Sequence, residues 1–238
     1  MYKKKFIVVI IPCYKVDVKT TIKIIKKIPF FVDKIYVVDD ACPFKTGGKI
    51  KSKKIKKVTI LFNSQNLGVG GSVLRVYKKL KYKNCFIIKI DGDGQMNPKL
   101  IRPILNNMIS KNLDYIKGNR FKDYKNLFKQ MPYLRIFGNY ILSYLSMISS
   151  GYKKIFDCTN GYTCIKTSII RKLPIKKIHK RFFFETDILF YLSKNNAKIQ
   201  DFYMSAQYGD EKSNLNLIKI IPQFSYLLIK NYIIRILK

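Results

Sequence analysis

Two aspartates flank a glycine in Ile90-Asp91-Gly92-Asp93-Gly94-Gln95. Carboxylates spaced this way can grip one hard divalent cation, leaving its other positions to diphosphate oxygens and water. The glycine between them lets the backbone pass close to a ligand. A second acidic pair ends Val37-Val38-Asp39-Asp40. An aspartate there can accept a hydrogen bond from a nucleobase N–H, or it can cap the turn or helix that follows. Asn66-Leu67-Gly68-Val69-Gly70-Gly71 has the glycine content of a phosphate loop without the lysine–serine ending of a Walker A motif. It reads as a close-approach turn beside a nucleoside, or as plain helix entry.

These residues need elements to hold them together. Residues 6–11 form a continuous β-branched run, the pattern of a strand covered on both faces. Residues 18–28 have helical apolar spacing, and 34–38 form a second strand that ends at Asp39 and Asp40. Strand 58–62 leads through 63–71 into a helix reaching about residue 80. Strand 85–90 ends at Asp91, a helix runs from Pro98 to about residue 112, and 115–117 is another short strand. Strand, loop and helix in repeated order predict an α/β fold with a mostly parallel central sheet flanked by helices. Asp39, Asp40, Asp91 and Asp93 then all fall just past the C-terminal ends of strands, the edge where open parallel sheets bind ligands.

The chain has 238 residues and 47% hydrophobic content, enough for one large α/β domain. Lys and Arg number 47 against 14 Asp and Glu, a net charge of +33. Such a field attracts nucleic acid, anionic lipid or phosphorylated small molecules, and it also follows from a composition rich in Lys, Ile, Asn and Tyr. Cys13, Cys42, Cys85, Cys158 and Cys164 form no CxxC pair, and His179 is the single histidine, so no zinc-type spacing exists. An odd number of scattered thiols suits a reducing cytoplasm. The apolar run after Met1-Tyr2-Lys3-Lys4-Lys5 is too short for a signal peptide, and no uninterrupted apolar stretch reaches the length of a membrane span.

The motifs, taken in order, resemble family 2 glycosyltransferases. Ile10-Ile11-Pro12-Cys13-Tyr14, Val37-Val38-Asp39-Asp40, Asn66-Leu67-Gly68 and Asp91-Gly92-Asp93-Gly94-Gln95 follow that family's sequence. Lys117-Gly118-Asn119-Arg120-Phe121 looks like its Gly-x-Arg strand, and Phe156-Asp157-Cys158-Thr159-Asn160-Gly161-Tyr162 like its Asp-x-x-x-Gly-aromatic segment. Phe183-Phe184-Glu185-Thr186-Asp187 is similar to its acidic catalytic helix start. Tyr208-Gly209-Asp210-Glu211-Lys212-Ser213 resembles a loop of polyprenyl-phosphate sugar transferases and of relatives in polysaccharide synthesis. The resemblance covers roughly residues 6–215.

It implies a GT-A fold, a UDP- or GDP-sugar donor, Mg2+ or Mn2+, and inversion at the anomeric carbon. By position, Pro12, Tyr14, Asp40 and Asp39 contact the nucleoside beside Gly68. Asp91 and Asp93, with Gln95, hold metal and diphosphate, and Arg120 and Lys212 neutralise phosphate. Asp187 is the general base, with Glu185 the second candidate; an ionised lipid phosphate as acceptor needs no base, and acids at this point also suit a helix N-terminus. The sequence departs from the family at Lys15, where asparagine is usual, and at Ala41, where glycine is. The Gln-x-x-Arg-Trp motif of processive synthases is missing, and the chain has no tryptophan.

Residues 1–215 form the expected catalytic domain and 216–238 a C-terminal amphipathic helix. That helix and the apolar-rich residues 131–152 suit either core packing or an anionic membrane surface. The expected location is cytoplasmic, peripheral at the inner face of the membrane, with a lipid-linked or saccharide acceptor in cell-envelope polysaccharide or glycolipid synthesis. A separate membrane subunit can supply an anchor. Two rival classes remain. A basic nucleic-acid-binding protein accounts for the charge and the 17 Tyr and 16 Phe, but no specific nucleic-acid motif is found. A nucleotidyltransferase also uses paired aspartates on a parallel sheet.

Overall fold

The computed structural model describes residues 2, 4–122, 127–129, 131–153, 155–205 and 217–237. The predicted strands appear as β1 (Phe6–Cys13), β2 (Lys34–Asp39), β3 (Val58–Phe62), β4 (Cys85–Lys89) and β5 (Tyr115–Asn119). Between them lie α1 (Val18–Lys27), α2 (Thr46–Ser52), α3 (Gly68–Leu80) and α4 (Ile101–Ser110). Then follow α5 (Tyr133–Ser150), β6 (Thr163–Lys166), α6 (Thr167–Ile170), α7 (Phe184–Ser193), β7 (Ile199–Tyr203) and α8 (Leu217–Ile236).

The strands join in one sheet of order β3-β2-β1-β4-β6-β5-β7. Adjacent strands pair in parallel except at β6, which runs antiparallel to both β4 and β5. The side chains explain the burial. β-branched residues fit a pleated surface covered on both sides, and Ile7, Val8, Val9, Ile10 and Ile11 are all fully buried. Alternate residues feed two cores. Val9, Ile11, Val37 and Ile88 pack with Ile24 of α1 and Ile104 of α4 on one face; Val8, Ile10, Val38 and Ile87 pack with Val73 of α3 and Ile188 of α7 on the other.

The reversal of β6 positions the site. A strand antiparallel to its neighbours starts at the edge where they end, so residues 157–162, which lead into β6, arrive at the C-terminal edge of β4 and β5. The register sets Lys89 and Lys117 on either side of Thr163. Cross-strand partners project to one face, so both lysines point to the side covered by α7.

α8 is fastened to the rest of the chain. The Phe183 and Phe224 rings meet edge-on at 5.0 Å, the Ser149 hydroxyl donates to the Leu228 carbonyl at 3.0 Å, and Arg235 donates to the Ile148 and Ser149 carbonyls of α5. Both residues that depart from the motifs of the resembled family have left-handed backbone: Lys15 at φ 53° and Ala41 at φ 54°. Asparagine and glycine tolerate that region, while lysine and alanine place Cβ too near the carbonyl oxygen, a cost of about 1 kcal/mol. Ala41→Gly is therefore expected to raise Tm by about 2–4 °C in a thermal melt. A lower Tm would show that the Ala41 methyl contributes more by packing than its backbone costs.

Candidate active site

The acids at the first two strand ends turn inward. Asp39 is buried, and its two oxygens accept from the Cys42 N–H and the Gly47 N–H, each at 2.7 Å. This carboxylate closes the loop after β2 and fixes the first turn of α2. Asp40, also buried, accepts from the Asn63 side chain at 2.6 Å, the Leu67 N–H at 2.9 Å and the Gly68 N–H at 2.8 Å. It thereby takes up donors at the start of α3, one of them from Gly68, whose φ of 82° suits glycine. Of the two readings of this acidic pair, capping is the one both carboxylates carry out. Tyr14 lies exposed past the end of β1, with the Lys15 ammonium 5.7 Å from its ring centre, and Pro12 is half-buried one residue before the end of that strand.

Asp91 stands at the mouth of the site. Its backbone continues from β4, and a Cβ at Gly92 would lie 3.2 Å from the Pro12 carbonyl oxygen, so this turn rests against the end of β1. The Asp93 carboxylate accepts from the Gln95 N–H at 3.0 Å, which shapes the turn. The Asp91 side chain is 31% exposed and meets the Lys89 ammonium at 2.8 Å. Lys89 is buried and reaches a second acid, Glu185 on α7, at 2.7 Å, with the Gly161 carbonyl at 3.1 Å. Lys117, also fully buried, contacts the other Glu185 oxygen at 3.3 Å and donates to the Asn160 carbonyl at 2.6 Å. A chain of alternating charge, Asp91–Lys89–Glu185–Lys117, thus runs from the cleft into the protein. Gly161 belongs to it by absence: a Cβ there would sit 2.5 Å from the Asp91 Oδ2 and would strike the Lys89 ammonium.

Burial pushes the Glu185 carboxyl up, but the ammonium groups of Lys89 and Lys117 outweigh it and hold the group below the ordinary glutamate range. Burial pulls the Lys89 ammonium down, but Asp91 and Glu185 outweigh it and hold its pKa above the ordinary lysine value. Neither lysine was singled out by sequence. The one available signal was a lysine inside an otherwise apolar strand, which is muted in a chain with 47 basic residues.

Asp187, the expected base, lies elsewhere. Two residues apart on a helix, it and Glu185 face different sides. The Asp187 oxygens accept from the His179 N–H at 2.8 Å and from the Asn231 side chain of α8 at 2.9 Å. Burial raises its pKa, with those hydrogen bonds opposing. Those contacts tie the 179 loop and α8 to α7, whereas Glu185 is the acid linked through Lys89 to Asp91.

Arg120 is also committed. Its guanidinium grips fully buried Asp157 with Nε at 2.7 Å and Nη2 at 2.6 Å, and Nη2 reaches the Thr159 hydroxyl at 3.1 Å. The expected phosphate contact has to be made by a cation already paired with a carboxylate. Lys212 and its surrounding motif lie outside the described residues.

Two hard oxygen donors, Asp91 and Asp93, fit a small divalent cation, and among the described residues no group of three His, Cys, Asp or Glu forms a self-sufficient metal site. That donor set suits a cation that takes further oxygens from substrate, as Mg2+ does with phosphates.

Comparison with known proteins agrees with this architecture. The model of glycosyl transferase family 2 matches residues 8–174, and the chain belongs to that family. A UDP-N-acetylglucosamine–dolichyl-phosphate N-acetylglucosaminyltransferase of Methanococcus voltae is 27% identical over 212 residues, covering 82% of this chain and 83% of the relative. A protein of Methanocaldococcus jannaschii is 28% identical over 239 residues, covering 92% and 99%. Among solved structures, glucosyl-3-phosphoglycerate synthase from Mycobacterium tuberculosis, in complex with Mn2+, UDP-glucose and phosphoglyceric acid, superposes with a TM-score of 0.71. The identity is 14%, over 98% of this chain and 80% of that one. The same enzyme with Mg2+ and UDP gives a TM-score of 0.65 at 11% identity, covering 98% and 79%. The fold is GT-A, and the protein is a glycosyltransferase.

A further acid braces the floor of the Arg120 loop. Asp201 on β7 accepts from the Asn119 side chain at 2.6 Å and the Phe156 N–H at 2.9 Å, both through Oδ2. Among the described residues no hydrogen-bond donor reaches its buried Oδ1, and burial pushes its pKa up to about 7. A carboxyl whose folded pKa is raised gives its full stability below the unfolded value of about 4 and loses it as pH climbs through the folded value. Asp201→Asn is expected to stabilise the fold at pH 8 by on the order of 2 kcal/mol, with little effect at pH 4. Urea unfolding at the two pH values checks this, and an equal effect at both would remove the titration argument.

Proposed function

We propose that this glycosyltransferase moves a hexosyl unit from a UDP- or GDP-sugar to a phosphate at the head of a polyprenol-type lipid, by a single inverting displacement. The carrying observation is that neither acidic candidate is free to act as a base. Glu185 holds two ammonium groups, and both Asp187 oxygens are occupied. A hydroxyl acceptor must lose a proton as it attacks, whereas a phosphate is already an anion at neutral pH and needs none. The name of the Methanococcus voltae relative, a dolichyl-phosphate N-acetylglucosaminyltransferase, supports the same acceptor chemistry.

In this reading Asp91 and Asp93 would hold Mg2+ or Mn2+, with Gln95 shaping the turn around them, and the bound ion would supply positive charge to the departing nucleoside diphosphate. Tyr14 offers an exposed aromatic face for the base, Pro12 lines the floor, and Asp39, Asp40 and Gly68 set the loops that enclose the nucleoside. Arg120 is assigned to a phosphate, and Lys212, outside the described residues, is assigned the same role by its motif. Glu185 orients the sugar or acceptor.

A lipid acceptor requires contact with a membrane, and α5 is built inside out for a water-facing helix. Its buried side carries Ser143, Ser146, Ser149 and Ser150, while Phe137, Tyr140, Ile141, Tyr144 and Ile148 are exposed. On α8, Tyr226, Ile229, Ile233 and Ile236 add further exposed apolar area at helical spacing. Small residues inside and large apolar residues outside suit an interfacial helix pair, and the basic excess favours anionic headgroups. Among the described residues no helix is long and apolar enough to cross a membrane.

The test is transfer of labelled sugar from UDP- and GDP-sugars to polyprenyl phosphate in vesicles with Mn2+ or Mg2+. Label is expected on the lipid phosphate, with Asp93→Ala losing at least about 100-fold, as loss of a key charge stabiliser does. Asp187→Asn should keep most transfer while lowering Tm. Transfer only to sugar hydroxyls, abolished by Asp187→Asn, would overturn the reading.

A further inference from the structure

Lys89 is placed where a cation touches the metal-side carboxylate before any metal arrives. Its ammonium lies 2.8 Å from Asp91 Oδ1 and 2.7 Å from Glu185 Oε1, with the Gly161 carbonyl at 3.1 Å. It is buried, so no solvent screens it. Three features hold it there. Thr163 of β6 separates β4 from β5 and sets the two lysines at one level of the sheet. Lys117 occupies the other oxygen of Glu185, at 3.3 Å. Gly161 leaves the space that a methyl group would fill with a collision at both Lys89 and Asp91.

We infer that Lys89 is a positioning residue which holds Asp91 by one oxygen and serves as a resident counter-ion, so that the divalent metal binds strongly only together with the nucleoside diphosphate. The inference rests on the glycosyltransferase reading and deepens it. The electrostatics follow from sign alone. A fixed positive charge beside the carboxylate repels a bare divalent cation, and it does so strongly because the site is partly shielded from water. A diphosphate brings negative charge that outweighs the repulsion and supplies the oxygens that the two aspartates lack. Lys89 also fixes the Asp91 side chain by its Oδ1, while the space that Gly161 leaves open accommodates Oδ2. Glu185 shares the ammonium and sits on α7, so the metal-side acid and the helix acid are held by one side chain.

The readout is Mn2+ binding by electron paramagnetic resonance, titrated with UDP or GDP and without nucleotide, on the full chain. Wild type is expected to bind Mn2+ at least about tenfold more tightly when the matching nucleotide is present. Lys89→Met removes the charge and keeps much of the volume; it should bind bare Mn2+ about tenfold more tightly than wild type, with the nucleotide effect reduced. Lys89→Gln, which can still donate to Glu185, carries the same expectation if the methionine variant does not fold, as judged by circular dichroism. Lys89→Arg keeps the charge and should keep the nucleotide dependence. A residue that merely supported the fold would, on replacement, weaken bare Mn2+ binding or leave it unchanged. Either result in a folded Lys89→Met or Lys89→Gln variant overturns the inference, as does wild type binding Mn2+ equally with and without nucleotide. Wild type that binds neither Mn2+ nor either nucleotide would instead overturn the functional reading on which it rests.

Discussion

A buried ammonium group is expensive to keep charged, and the active edge of this sheet holds two of them. Lys89 and Lys117 are tolerated because Glu185 accepts one on each oxygen and because the carbonyls of Asn160 and Gly161 complete their shells. Removing the acid would leave Lys117 without a carboxylate and Lys89 with Asp91 alone, a loss of several kcal/mol. The arrangement therefore dictates much around it. β6 must run antiparallel so that the loop bearing those carbonyls reaches this edge. α7 must begin near Phe184 so that Glu185 lies over the sheet, and residue 161 must lack a side chain. Burial of apolar strands gives the sheet its stability, but these charges fix the relative placement of three strands, one loop and one helix.

The strand ends were legible because their chemistry is scarce. With 14 acids in the chain, aspartates just past β-branched runs stood out, and β1 through β5 fell close to their expected places. The roles were less legible than the positions. Asp39 and Asp40 look alike whether they face a nucleobase or backbone N–H groups, and only the loop geometry shows them capping. Arg120 stands out by its motif, but nothing in that motif shows that Asp157, 37 residues away, already holds its guanidinium. Asp187 and Glu185 share one motif, and the helical turn between them sends one toward Lys89 and the other toward Asn231 of α8.

Other features left almost no trace. α2 is short and contains Gly47, Gly48 and two lysines in a lysine-rich region, so its composition resembles a loop; Asp39, distant in sequence, fixes its first turn. β6 has four residues and β7 five, and both are recruited by neighbouring strands rather than by their own pattern. The lysines were hidden for a different reason. In an acidic protein a lysine inside an apolar strand would draw notice, whereas here lysine is the background.

The distribution of acids also bears on how a chain of +33 could hold the proposed cation. Asp39, Asp40, Asp91, Asp157, Glu185, Asp187 and Asp201 account for half of the 14, and all lie on or next to the strand ends, loops and helix that build the site. Most of these charges are spent on backbone N–H groups or buried cations, so they do not make the cleft strongly negative to its surroundings. Asp91, part-exposed and already touching an ammonium, is closer to neutral than its sequence motif suggests. The surface beyond the cleft has few acids to offset its lysines. A small metal ion by itself gains little from such a field, whereas a phosphorylated anion is attracted at long range. The charge excess and the compensated acids thus act in the same direction: both select ligands that bring their own negative charge.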